Sequence, residues 1–435
     1  MKLNRQSSIP PASPGRAGIA LSPEEYLLVL AARVEIDSDD DAKMEDILRG
    51  GVEWPVVEAS ARRLGVEPLL YKHLSQEKYV GYVHDEMLHR LKESYHKQSM
   101  RSLRIYGQLS RILDGMNQAD IPIILLKGAY LAKWIYGDIA LRPMGDIDIL
   151  CRDGDRGAVQ EILRGLGYEE MKNIAQSRFH EEISSKIGSH LPPFTRKNAV
   201  RVEIHTDIFT KAPHKTTEME RVWEAIIPLN LDGLETHTLS LEHQLLYLSI
   251  HLQKHLMSGV ATLYWFCDIH EFIRHYRDKI NWNQFQAIAE SLGVASQIAP
   301  LHDLLYRHWG MDIPENAVLS PSADFDRLSL ESAIGGNKSL GKQNFLPSRI
   351  RLLRDIRNED GLGKGLYYVL RHLFPARSHI INRYNPKNQR EIYGYYISHC
   401  YWRFRHAFTS LFLIVRGVLQ KRKRSHERER FGDRL

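Results

Sequence analysis

Two aspartates separated by one residue constrain this chain more than any other feature of its sequence. Asp146 and Asp148 alternate with Ile147 and Ile149 in the run Gly145–Leu150. Alternate side chains of a strand point to opposite faces, so the pattern predicts a strand with both isoleucines on one face and both carboxylates on the other. Neighbouring carboxylates repel each other, and partial burial strengthens the repulsion. The pair therefore indicates either a solvated edge strand or a site for a divalent cation such as Mg²⁺.

A second alternating segment, residues 201–208, supplies a third carboxylate. Its apolar residues face one way, whereas Glu203, His205 and Asp207 face the other. If this strand lies beside the Asp148 strand, Glu203 joins the same acidic face, whereas Asp207 is too far along to reach the same metals. Three carboxylates on neighbouring strands suit a two-metal site for in-line phosphoryl displacement. His205 could tune the metal site or could equally be a buried or rim histidine.

Upstream of the aspartates, the sequence predicts a strand, a tight turn and a helix. Residues 121–126 form a short apolar run that ends at Lys127 and Gly128, and a helical pattern starts at Ala129. Glycine at such a turn lets a phosphate approach the backbone N–H groups at the helix start. Lys127 could reach a β- or γ-phosphate, or it could be a surface lysine at a strand end. Arg142 could clamp a phosphate or pair with one of the aspartates.

The ordered runs LLKGAYLAKWIY, LRPMGDIDIL and VEIHTDIF resemble the polymerase-β-type nucleotidyltransferase superfamily. Over about residues 20–320 the chain is similar to its bacterial branch often labelled uncharacterised nucleotidyltransferase. The resemblance implies an α+β fold, with a polymerase-β-like core of a small mixed sheet and helices between N- and C-terminal helical regions. One departure is that Lys127-Gly128-Ala129 replaces the usual Gly-Gly or Gly-Ser, so a serine hydroxyl is missing.

The resemblance also implies an activity and a set of site residues. The expected reaction transfers a nucleoside monophosphate from an NTP, most simply ATP, to an unidentified acceptor with Mg²⁺ or Mn²⁺. Asp146, Asp148 and Glu203 would be the catalytic metal ligands. The expected nucleotide- and phosphate-binding residues are Lys127, Gly128, Ala129, Arg142 and His205. The alternative is a non-catalytic nucleotide-binding or accessory protein on the same scaffold, because a fold does not guarantee an activity.

Helical patterns flank the predicted core, and one of them carries further candidate residues. His251 and His255 lie four residues apart in a predicted helix, a spacing that suits a metal, a nucleotide cleft or two interfacial histidines. Asp268 is either a cleft residue or a helix-surface acid. The predicted organisation is a disordered lead-in at 1–20, helices at 21–118, the catalytic core at 119–235, a helical domain closing the cleft at 236–320, a linker at 321–348 and a basic aromatic helical region at 349–435.

The charge of the chain is concentrated at its C-terminus. Residues 400–435 contain ten Lys or Arg and three Asp or Glu, a net +7, so the remainder carries −1 of the total +6. A neutral body gives no strong case for nucleic acid as a partner. An apolar helix predicted at 407–420, followed by Lys421-Arg422-Lys423-Arg424, could contact an anionic membrane or could pack in a core. Three scattered cysteines and no 18-residue apolar run favour a cytoplasmic protein, either free or peripheral at the inner membrane face.

Overall fold

A computed structural model describes residues 21–171, 192–209, 215–258, 262–309, 377, 380–381 and 388–401. The predicted lead-in at 1–20, the linker at 321–348 and the apolar helix at 407–420 lie outside the described residues, and so does most of the basic aromatic region at 349–435. The predictions made for those segments stay predictions.

The N-terminal part of the described chain is helical, as the apolar spacing predicts. Its helices are α1 (Pro23–Ala31), α2 (Ser38–Gly50), α3 (Trp54–Leu64), α4 (Glu67–Leu74), α5 (Glu77–Val80) and α6 (Asp85–Gln118). Ser22 caps α1: its Oγ accepts from the Glu25 N–H at 3.2 Å, and the Glu25 carboxylate accepts from the Ser22 N–H at 3.1 Å. The 34-residue α6 runs for about 51 Å and contacts both α4 and the central sheet.

A seven-stranded mixed sheet follows, which confirms the predicted α+β class. Its strands are β1 (Ile124–Leu125), β2 (Asp146–Leu150), β3 (Glu169–Glu170), β4 (Phe194–Thr195), β5 (Arg201–His205), β6 (Ile227–Leu231) and β7 (Leu234–Thr238). They lie in the order β3-β4-β5-β2-β1-β7-β6. Strand β2 is parallel to β5 and antiparallel to β1, while β6 and β7 form an antiparallel hairpin. The sheet thus ends at Thr238, slightly beyond the predicted core limit at 235.

The two acidic strands are neighbours, and their register is fixed by apolar packing. Ile147 pairs with Val202 and Ile149 with Ile204, and all four side chains are fully buried. The same register places Asp148 directly opposite Glu203. A slip of one residue would turn the apolar residues of a strand to the other face, so burial of these four residues holds the carboxylates together.

Further helices precede and follow the two acidic strands in the sequence. They are α7 (Lys127–Trp134), α8 (Arg156–Gly165), α9 (Lys215–Glu224), α10 (Leu241–Ser258), α11 (Leu263–Tyr276), α12 (Trp282–Ser291) and α13 (Ala295–Trp309). Two local predictions were imprecise: the strand predicted over 121–126 is restricted to Ile124–Leu125, and the helix expected from Ala129 begins at Lys127. In the part of the chain that the structure describes, no helix has both the length and the apolar character needed to cross a bilayer.

Candidate active site

The turn between β1 and α7 is set by packing. Lys127 has a φ of 45°, in the left-handed region that non-glycine residues rarely adopt. A Cβ added to Gly128 would lie 2.7 Å from Cγ of Met144 and would also collide with Nη1 of Arg142. Glycine is therefore required here by the close approach of a side chain from the segment before β2. No side chain of the residue before α7 caps the helix, so that residue leaves the first backbone N–H groups of the helix without a capping acceptor.

Asp148 is the centre of a cluster of polar side chains. Lys127 donates from Nζ to Asp148 Oδ1 at 2.7 Å, and His205 donates from Nε2 to the same oxygen at 2.8 Å. One potential ligand atom from each of Asp148, Glu203 and His205 lies within 4.8 Å of the others. The Asp148 and His205 side chains are nearly fully buried, whereas Glu203 retains 16% of its side-chain exposure. Strands β2 and β5 thus bring together three side chains that could serve as metal ligands.

The electrostatics of this cluster keep its central carboxylate ionised. Burial alone would raise the pKa of Asp148, but the Lys127 ammonium and the His205 hydrogen bond outweigh it and hold that pKa well below its usual range. Burial alone would lower the pKa of Lys127, and the Asp148 charge outweighs it, so that pKa is raised. At neutral pH the pair is therefore a carboxylate and an ammonium in a buried setting.

Asp146 has a different environment from Asp148. It lies at the start of β2 with 28% of its side chain exposed, and its Oδ2 accepts from Nη2 of Arg201 at 3.0 Å. Arg201 also pairs with Glu203, with 3.4 Å between Nε and Oε1. The ligand cluster does not include Asp146. Arg201 bridges two of the three predicted metal-binding carboxylates and was missed from the sequence, although its place two residues before Glu203 puts it on the same strand face.

The donor set fits a divalent cation. Two carboxylates on adjacent strands are ligands that Mg²⁺ and Mn²⁺ both accept. The imidazole nitrogen of His205 makes the set more suitable for Mn²⁺, because Mg²⁺ takes oxygen ligands and transition metals accept nitrogen. The residues brought together are therefore compatible with the expected cation, and its identity stays a prediction.

Arg142 does not pair with either aspartate of β2, so that sequence alternative is wrong. Its Nη2 and Nε donate to the two carboxylate oxygens of Asp268 at 2.7 and 3.1 Å, and both side chains are buried. Tyr136 donates its hydroxyl to the same carboxylate at 2.8 Å, and the guanidinium lies 4.9 Å from the ring centroid of Tyr264. Asp268 is consequently not a helix-surface acid. The pair connects α11 to the segment before β2, and its two residues are 126 positions apart in the sequence.

The predicted histidines lie on α10 among aromatic rings. The ring centroids of His251 and His255 are 4.4 Å apart, and those rings lie 5.2 and 4.3 Å from the ring of Trp265 on α11. Tyr247, one turn before His251, brings its ring within 5.9 Å of the Lys127 ammonium. Neither histidine belongs to the metal-ligand cluster. Tyr247 and Trp265 were missed from the sequence, where aromatic residues at helical spacing are ordinary core residues.

Asp207 follows β5 and has a local structural role. Its Oδ1 accepts from the backbone N–H of Phe209 at 2.6 Å, which stabilises the turn after the strand. It is buried and does not belong to the metal-ligand cluster. This placement agrees with the expectation that it lies too far along the chain to reach the same cation.

A strand–turn–helix unit followed by parallel strands that bring Asp148 beside Glu203 is the arrangement of a nucleotidyltransferase core. The chain belongs to the family described as uncharacterised nucleotidyltransferase, whose model matches residues 50–308.

Comparisons with solved structures and with curated proteins identify no substrate for this chain. Among solved structures, the chain is similar to the solution structure of the antibiotic-resistance factor ANT(2'')-Ia, with 11% identity and a TM-score of 0.30 over 47% of this chain and 97% of that one. A likeness at that level supports no argument about a substrate. No curated protein matches the chain.

Proposed function

We propose that this protein transfers a nucleoside monophosphate from a metal-bound nucleoside triphosphate to an acceptor hydroxyl or phosphate, and releases pyrophosphate. The expected donor is ATP. The observation that carries the proposal is the parallel pairing of β2 with β5, which places Asp148 opposite Glu203 with His205 beside them. Membership of a nucleotidyltransferase family supports the same reaction class.

In this proposal Asp148 and Glu203 would hold the cation, with His205 as an additional ligand, and Asp146 would join them if it gave up its pairing with Arg201. A divalent cation, Mg²⁺ or Mn²⁺, supplies charge neutralisation on the phosphates and lowers the pKa of the acceptor hydroxyl. The acceptor oxygen forms a bond to the α-phosphorus as the bond from that phosphorus to the pyrophosphate oxygen breaks. The proton of the acceptor passes to Glu203 or to solvent.

The positive groups around the acidic cluster would bind the phosphates of the nucleotide. Lys127, which pairs with Asp148, is close enough to exchange that contact for a β- or γ-phosphate oxygen as a point charge. The first N–H groups of α7, from Lys127 to Ala129, provide donors and the positive end of a helix. Arg142 pairs through its guanidinium with Asp268, and its Nη1 lies close to Gly128, so its expected contact with a phosphate stays a prediction.

The proposed location is the cytosol, where nucleoside triphosphates are available. Cys151 and Cys267 are buried thiols that form no disulfide, which agrees with a reducing compartment. Contact between the basic C-terminal helix and a membrane surface stays a prediction.

The test is a labelling experiment with two isotopic positions. The purified protein is incubated with cell extract, Mg²⁺ or Mn²⁺, and ATP labelled at either the α- or the γ-phosphate. We expect α-label in an acceptor and γ-label in pyrophosphate, and we expect Asp148→Asn to abolish both. The matched control is Asp153→Asn, because Asp153 is an exposed acid just after the same strand.

Each alternative outcome has a distinct meaning. Release of γ-label as orthophosphate by the purified protein without cell extract would indicate hydrolysis and contradict nucleotidyl transfer. Full activity in Asp148→Asn would refute the assignment of the site. Nucleotide binding without any transfer would favour the accessory role on the same scaffold.

A further inference from the structure

A row of rings begins beside the acidic cluster and follows one face of α10. Tyr247, His251 and His255 are spaced four residues apart, so they form one stripe on the helix, and Trp265 of α11 lies against its far end. Centroid separations along this aromatic row are 6.4 Å from Tyr247 to His251 and 4.4 Å from His251 to His255. The row covers nine residues of the helix, a rise of about 12 Å.

The aromatic row and the acidic cluster share one neighbourhood. The ammonium of Lys127 lies 2.7 Å from Asp148 and 5.9 Å from the ring centroid of Tyr247. Its charge also acts on His251 and His255, and contributes to lowering the pKa of each. The row therefore leads from the position assigned to the phosphates toward Trp265.

The three rings at the far end of the row, those of His251, His255 and Trp265, are uncharged. Burial, followed by the nearby lysine charges, lowers the pKa of His251 well below its usual value and that of His255 to about 4. Both imidazoles are accordingly neutral at pH 7, and the indole of Trp265 is uncharged. All three side chains are only partly buried. Neutral, partly exposed rings are suited to stacking with a planar heteroaromatic group and offer little to an anion.

We propose that His251, His255 and Trp265 form the stacking site for the base of the nucleoside triphosphate. This inference rests on the proposed function, because it takes the triphosphate to lie at Lys127 and the acidic cluster. A nucleotide is long enough that its base lies well away from its reacting phosphate, and the aromatic row extends away from Lys127 and Tyr247 toward Trp265. Stacking is tolerant of base identity, so the site binds the base by its ring face and does not select one base over another.

The experiment separates the base from the phosphates by using two probes. Binding of Mn·ATP and of Mn·tripolyphosphate, which has the phosphates and no base, is measured by calorimetry with the full chain. We expect Trp265→Ala to weaken ATP binding roughly 5- to 150-fold, the range given by removal of one base–aromatic stack, and to leave tripolyphosphate binding unchanged. Trp265→Phe should keep most of the ATP affinity because it keeps a ring.

The controls keep each outcome interpretable. Trp282→Leu removes a different half-buried tryptophan, which packs on Phe285 of α12, and should change neither affinity. If Trp265→Ala does not fold, His251→Ala replaces it with the same pair of probes. Equal weakening of both probes, or no change in ATP affinity, would overturn the base site while the proposed function stands. Failure of the wild type to bind either probe would overturn the proposed function together with the base site.

Discussion

Breaking the buried ion pair between Arg142 and Asp268 is expected to destabilise the protein more than any exposed charge change. The guanidinium retains 6% of its side-chain exposure and the carboxylate 2%, and two hydrogen bonds of 2.7 and 3.1 Å join them. Removing one partner leaves the other as a buried, uncompensated charge, at a cost of about 3–5 kcal/mol. For a folded unit of 150–250 residues this corresponds to a fall in Tm of roughly 6–20 °C.

The assay is chemical and thermal unfolding of Arg142→Met, Asp268→Leu and the double variant. We expect each single variant to lose several kcal/mol, and we expect the double variant to lose much less than the sum because no unpaired charge remains. Glu93→Gln is the control, since the pair of Glu93 with Lys97 is exposed and its loss should cost a few tenths of a kcal/mol at most. Single-variant losses below about 1 kcal/mol, or strict additivity, would refute the reasoning.

Two further predictions concern stability. Gly128→Ala should lower the free energy of unfolding by about 1–3 kcal/mol, because the added Cβ meets Met144 and Arg142. Gly145→Ala is the matched control, since a Cβ there meets nothing within 4 Å. Equal unfolding midpoints for the two variants would contradict the packing argument. Acidification should lower the free energy of unfolding. Burial lowers the pKa of His302 to about 4, so between pH 6.5 and 4 the unfolded state binds more protons and stability falls as the pH drops. His302→Gln should make the pH dependence shallower, and an unchanged slope would count against burial as its cause.

Local alternation was enough to predict the acidic face. The apolar residues Val202 and Ile204 alternate with Glu203 and His205, and a two-residue period is a property of the strand itself. The pairing of this strand with the Asp148 strand was only a condition in the sequence analysis, and the structure supplies it. The four buried partners of β2 and β5 hold that pairing in register.

Contacts between distant segments could not be predicted in the same way. Nothing near Arg142 in the sequence indicates that its partner is Asp268, because the two are joined only by the packing of α11 against the core. The role of Gly128 was inferred from phosphate binding alone, whereas the structure shows that a neighbouring guanidinium also excludes a Cβ. The start of α7 was also misplaced, since the helix begins at Lys127, whose φ of 45° lies in the left-handed region.

The register of β2 and β5 also determines how a chain of this kind can diverge. Between Leu150 and Arg201 the chain forms α8, β3 and β4. Extra residues in a turn between these elements, such as 196–200, lengthen a connection, and doubling a flexible connection costs only about 0.6 kcal/mol in closure entropy. One extra residue inside Arg201–His205 has a different effect, because it exchanges the two faces of the strand and turns Glu203 into the core. Insertions can therefore accumulate in the connection over evolution, while the five-residue strand tolerates substitutions but no change of length.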